Sequence, residues 1–277
     1  MQEHLLPIVA KELSINENII KRIIEMLDEG NTVPFIARYR KEATGGLDET
    51  KIKAVQESWH YAVQLHERKE EVLRLIDEQG KLTEELAKEI NAATKLQRVE
   101  DLYRPYRQKR RTRATIAKEK GLEPLATLVW EQENDDIRAE IPRYFSEEHE
   151  LNSEEDVLAG VNDIIAEWIS DDATFRDAIR FRTWNSGTLK TELKNAELDE
   201  KQTYKMYYEF SQSIKSLVSH RTLAINRGEA EDVLRVVIEA PEENIIQYLE
   251  KKIIKISSTS FNHLILTEAI NDSYTRL

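Results

Sequence analysis

"SEEDVLAGVNDIIAEWIS", running from Ser153 to Ser170, decides the fold class. Ser153 offers the side-chain oxygen that a helix N-terminus needs, and no Pro interrupts the residues after it. Val157, Val161, Ile164, Ile165 and Trp168 recur at helical spacing, so one face of this helix is expected in a core. The period-two alternation of a half-buried strand is missing.

The same texture continues upstream. In LSINENIIKRIIEMLDEG (13–30), Ser14 and Glu17 form a capping-box pattern, Ile19, Ile20, Ile23, Ile24 and Leu27 repeat along one face, and Gly30 supplies a stop. Pro34 can open a short helix, PFIARYRKE, which Gly45 and Gly46 end. Asp48 is then a good N-cap for a long helix to about Gln79, with Ile52, Val55, Trp59, Val63, Val72, Leu73 and Ile76 on one face. Thr83 caps another through Ile90, and Leu96, Val99 and Leu102 mark a further helix that Pro105 breaks just after Tyr103. Thr112 can restart a short helix ending at Gly121, and Pro124 opens the next.

Downstream, a helix holding Phe175, Ile179 and Trp184 runs to Gly187, after which the texture changes. EDVLRVVIEA (231–240) is rich in β-branched residues and bounded by Gly228 and Pro241, which reads as a strand. The expected architecture is mainly α, with a multi-helix region over 1–187 and a smaller mixed α/β segment with a few short strands over 188–277. HLILTEAINDSYTRL keeps apolar spacing through Ile270, Tyr274 and Leu277, so the chain is expected to be a piece of a longer protein.

With no Cys there is neither a disulfide framework nor a thiolate metal site, and no stretch approaches a membrane span, so a cytoplasmic protein is expected. The net charge of −12 is regional: Glu131 to Val157 carries eleven Asp and Glu against two Arg. The remainder is close to neutral, and a local basic surface is compatible with the acidic balance.

Recognisable catalytic chemistry is absent from the pattern: there is no GxxxxGK[ST], GxGxxG or GxSxG. The six His, at 4, 60, 66, 149, 220 and 263, show no i, i+3 or i, i+4 pair for a metal. The acidic pairs Asp135–Asp136 and Asp171–Asp172 read more readily as helix-start and solvated carboxylates than as Mg²⁺ ligands. GGLDE (45–49) lacks the G-h-G core of a helix-hairpin-helix phosphate site and reads as a helix stop followed by an N-cap. No enzyme activity and no cofactor are expected.

The strongest local signal is basic. In DLYRPYRQKRRTRATI (101–116), Arg104, Arg107, Lys109, Arg110, Arg111 and Arg113 stand among Tyr103 and Tyr106, a mixture suited to neutralising phosphates and stacking bases. Arg38, Arg40 and Lys41 can add to it. The alternative is structural, with these Arg side chains paired to Glu100, Asp101 or the 131–157 segment.

Three stretches in order, VPFIARYRKEATGGLDE (33–49), EDLYRPYRQKRRTRATIAKEKGLEPLA (100–126) and SHRTLAINRGE (219–229), resemble the N-terminal part of the bacterial Tex family of transcription accessory proteins, related to a eukaryotic transcription elongation factor. The resemblance implies a helical scaffold that is followed in the family by YqgF-type RNase H-like, helix-hairpin-helix and S-one-type RNA-binding domains. It further implies association with RNA or DNA, with RNA polymerase or another transcription protein as an alternative partner. Nuclease chemistry, on this reading, belongs to the downstream domains.

Overall fold

The computed structural model describes residues 2–276 apart from Lys109 and Asp135. The chain forms two compact units that divide between Tyr106 and Arg107; the first strand starts later, at Thr188, inside the second unit.

The first unit is helical: α1 (Leu6–Leu13), α2 (Glu17–Asp28), α3 (Val33–Tyr39), α4 (Lys41–Thr44), α5 (Glu49–Asp77), α6 (Glu84–Ala92) and α7 (Leu96–Tyr103). Ile20, Ile23 and Ile24 of α2 close a core with Leu6, Val9, Ile36, Ile52 and Val55. Asp48 caps α5 by accepting from the Lys51 amide at 2.9 Å, and Thr83 caps α6 in the same way through Leu86. The capping box expected at Ser14 and Glu17 is not formed. Ser14 instead ends α1 in the left-handed region, at φ 55°, and Asn16 caps α2 by accepting from Asn18 N. Asn16 is extended, and its short side chain reaches back to its own helix.

The far half of α5 carries α6 and α7, burying Val72 and Ile76 with Ile90, Val99 and Leu102. Lys95 provides no side-chain cap for α7, and the Tyr61 hydroxyl on α5 accepts from Leu96 N at 3.0 Å in its place. Arg68 on α5 makes a forked bond to Glu100 on α7, at 2.5 and 3.0 Å, and this raises its already high pKa.

The second unit holds α8 (Arg113–Glu119), α9 (Glu123–Glu131), α10 (Glu154–Asp171), α11 (Ala173–Ser186), β1 (Thr188–Leu193), β2 (Glu209–Ser213), α12 (Ser219–Ala230), β3 (Leu234–Glu239), α13 (Glu242–Ile253) and α14 (Phe261–Arg276). Helix α10 is the helix expected from the Ser153–Ser170 stretch. Ser153 and Asp156 complete a capping box, and Val157, Val161, Ile164, Ile165 and Ile169 are fully buried. Small residues bring α8 close: a Cβ on Gly160 would lie 2.3 Å from Leu122 Cδ1 and 3.3 Å from Ala117 Cβ. Trp168 is half-buried, edge-on to Trp130 with centroids 6.0 Å apart.

The sheet has the order β2-β1-β3, antiparallel throughout, with β1 central and Thr191 opposite Phe210 and Val236. Gly228 lets α12 approach β3, because an added Cβ would fall 2.7 Å from Leu234 Cδ1. The loop before β2 is organised by Asp199, which is 5% exposed and accepts from Thr203 N, Tyr204 N and the Tyr208 hydroxyl. Burial works against its charge, yet these donors outweigh it and hold the carboxyl below its ordinary range.

At one edge of the second unit two carboxylates face each other. Asp163 of α10 and Asp272 of α14 share Arg276, and Arg113 at the start of α8 reaches both, at 3.2 and 3.5 Å. Arg276 is the more deeply placed cation, with a side chain 20% exposed against 67% for Arg113.

Arg113→Ala is expected to lower stability by about 1 kcal/mol in urea unfolding, because it leaves two close carboxylates to one arginine. Arg107→Ala, by contrast, stays within about 0.5 kcal/mol of the parent. Asp199→Asn is also destabilising at neutral pH. A depressed carboxyl contributes stability above the ordinary Asp range, and that contribution is lost as pH falls through the folded value. The deficit of the Asn variant therefore shrinks below about pH 4, as read from urea midpoints across pH.

Candidate nucleic-acid interface

The basic stretch starts as the last turn of α7 gives way to a 3₁₀ turn, Arg104–Tyr106, since Pro105 cannot continue the helical ladder. Gln79 anchors this turn by donating to the Tyr106 carbonyl at 2.9 Å. Arg104 and Tyr106 are half-buried. Tyr103 is only 9% exposed and lies under the Arg68 guanidinium, 5.3 Å from ring to cation. The expectation that Tyr103 stands ready for base stacking is therefore corrected: an apolar ring at the end of α7 is worth more in the core than in water.

From Arg107 onward the side chains divide. Arg107 and Arg110 are exposed, and neither has an ion pair among the described residues. Lys109 lies outside the described residues. Arg111 pairs with Glu119 at 2.7 Å, and Arg113 joins the Asp163–Asp272 pair. The structural reading thus holds for Arg111 and Arg113, whose acids Glu119, Asp163 and Asp272 lie outside 131–157, while Glu100 is taken by Arg68. Thr112 ends the stretch by capping α8, its hydroxyl accepting from Thr115 N at 3.0 Å and meeting Glu167 at 3.1 Å.

The acidic segment is pinned at several points, and its Glu148 and Glu150 line a cavity together with Arg111. Ile137, Ile141 and Leu151 enter the core, and the fully buried Asn262 accepts from Ile137 N while donating to the Asn134 carbonyl. Gln132 fixes the segment's start by donating to the Ile253 carbonyl and accepting from Lys255 N, both at 2.8 Å.

In the first unit, Arg38, Arg40 and Lys41 are exposed and without ion pairs among the described residues. Around them lie two aromatic rings that the sequence pattern alone did not single out. Phe35, Arg38 and Tyr39 stand at i, i+3 and i+4 on α3, so they share a face, while Ile36 turns into the core. Tyr39 is 66% exposed and Phe35 37%; their rings are 5.2 Å apart and inclined at 43°. The Arg40 guanidinium sits 5.5 Å from the Phe35 centroid. The signal was present in PFIARYRKE as an i, i+4 aromatic pair interleaved with bases.

The remaining expectations are local. Gly45 ends α4 at φ 65° and Asp48 opens α5, the stop-and-cap reading of GGLDE. Asp172 caps α11 through Thr174 N and Phe175 N, and Asp136 binds Arg138, whose hydrogen bond lowers its carboxyl. Asp135 lies outside the described residues. The fold brings the His4 and His66 rings together at 4.4 Å, but no group of three or more potential metal ligands occurs among the described residues. No helix among them is long and apolar enough to cross a membrane.

Comparison with known proteins matches residues 3–77 to the Tex-like protein N-terminal domain and residues 132–269 to the Tex central region-like model. An uncharacterized protein of Bacillus subtilis, YdcI, is 52% identical over 97% of this chain and 38% of its own length. The transcriptional accessory protein Tex of Neisseria gonorrhoeae is 39% identical over 84% of the chain and 30% of its own length. The human S1 RNA-binding domain-containing protein 1 is 26% identical over the whole chain and 29% of its own length. The chain thus spans about a third of the curated relatives it matches. With two family models together covering most of its residues, in order, on a mainly helical fold, the chain belongs to the Tex family of transcription accessory proteins.

Proposed function

We propose that this part of a Tex-family protein is a non-catalytic, cytoplasmic helical scaffold that associates with RNA or DNA through exposed cations. The observation that carries this reading is the pair Arg107 and Arg110: exposed, free of carboxylates among the described residues, and set in a stretch whose other arginines are held by the fold. Unpaired cations keep their full attraction for phosphate, whereas Arg111 and Arg113 must first give up an ion pair. The name of the human relative, an S1 RNA-binding domain-containing protein, supports the same direction.

The test is a fluorescence-polarisation titration with single-stranded RNA and duplex DNA over a range of salt. Replacing Arg107 and Arg110 by Glu weakens binding and flattens the slope of log affinity against log salt by about 1.4 to 1.8, the equivalent of two phosphate contacts. Unchanged affinity and slope reject the assignment.

A second reading, docking on RNA polymerase or another transcription protein, is favoured by α11. Phe181 and Trp184 lie one turn apart there and are 69% and 60% exposed. Copurification with RNA polymerase that survives nuclease treatment and is lost in a Phe181→Ala, Trp184→Ala double variant is the outcome this reading requires.

A further inference from the structure

We infer that the outer face of α3 and its junction with α4 form a binding site for single-stranded nucleic acid, in which Tyr39 and Phe35 stack on unpaired bases while Arg38, Arg40 and Lys41 meet the flanking phosphates. The inference rests on the nucleic-acid reading above and assigns the class of ligand at a separate surface of the first unit.

The local sequence builds this surface. Pro34 fixes the first turn of α3, and Ile36 anchors the helix to the core. Tyr39 is thereby left mostly in water, with Phe35 about one-third exposed beside it. A ring so exposed, with a second partly exposed one next to it, stands where a surface helix ordinarily carries polar residues. Arg40 leaves helical geometry, with φ −127° and ψ 33°, and its guanidinium lies over the Phe35 ring instead of reaching a carboxylate. The result is an inclined pair of aromatic faces surrounded by three exposed cations that have no ion pair among the described residues.

Each component matches one part of a single strand. Aromatic rings offer stacking that tolerates any base, and arginine adds cation–π contact and phosphate neutralisation. A duplex exposes phosphates but conceals its base faces, so it can use the cations and not the rings. That difference separates this site from a generic basic patch. An acidic protein segment also meets the charge, but it does not account for flat rings interleaved with the cations along one turn.

The experiment compares Tyr39→Ala, Tyr39→Phe and an Arg38→Ala, Lys41→Ala double variant with the parent, each checked by circular dichroism. Probes are a labelled oligouridine, a labelled DNA duplex and polyglutamate as competitor. Tyr39 is mostly exposed, so its truncation leaves the fold intact. Tyr39→Ala is expected to weaken oligouridine binding about fivefold to tenfold with duplex affinity unchanged. Tyr39→Phe is expected to retain parental affinity, and the cation variant to weaken both ligands and flatten the salt dependence. Oligouridine affinity unchanged in Tyr39→Ala overturns the site. If that holds while the Arg107 and Arg110 reversal still weakens binding, the broader reading survives without it. A parent protein that binds neither oligonucleotide at low salt overturns both, and equal loss for duplex and single strand, or tighter competition by polyglutamate than by unlabelled oligouridine, also counts against base stacking.

Discussion

Burial of one side of α10 is the constraint on which the second unit depends. Val157, Val161, Ile164, Ile165, Ala166 and Ile169 are withdrawn from water, and each large apolar side chain so buried is worth roughly 1.5–3 kcal/mol against a comparable cost of ordering the chain. The balance is favourable only if neighbours pack closely. Gly160 permits that closeness on the α8 side, and Ile265, Leu266, Ala269 and Ile270 of α14 provide it on another. Once α8, α10 and α14 are drawn together, Asp163 and Asp272 are forced near one another. Their repulsion is answered by Arg276 and Arg113.

This packing explains why the basic stretch is not uniform. Arg113 begins α8 and meets the carboxylates that the helix seam presents, and Arg111 finds Glu119 two turns along. Arg107 and Arg110 have no ion pair among the described residues. The strongly acidic segment is held by Asn262 and Gln132, which bind its backbone, and by three apolar anchors in the core, and its Glu148 and Glu150 line a cavity together with Arg111. Net charge averaged over the chain says little about the field at any one place on its surface.

The helices were legible because their signals are local. Asp48, Thr83, Thr112 and Ser153 each cap the helix their position implies, and the Ile and Val periodicity of α2, α5 and α10 matches the buried faces. The exception, Ser14, fails because two capping patterns overlap within three residues and the chain chooses Asn16. Strand β3 was readable from its β-branched run, but the β2-β1-β3 order depends on pairings between residues some twenty to fifty positions apart, which no local pattern records. The site was harder for the same reason. Which arginines are tied up depends on Asp163 and Asp272, distant in sequence, and the outward turn of Phe35 and Tyr39 depends on which face of α3 Ile36 commits to the core.

One basic stretch is thus divided, with Arg111 and Arg113 in ion pairs and Arg107 and Arg110 exposed and without one among the described residues. Arginine-selective modification with phenylglyoxal, read residue by residue by mass spectrometry with and without single-stranded RNA, distinguishes the two groups. Fast modification of Arg107 and Arg110 that RNA suppresses is expected, together with slower modification of Arg113 that RNA leaves unchanged. Protection of Arg113 by RNA with none at Arg107 and Arg110 would contradict the division.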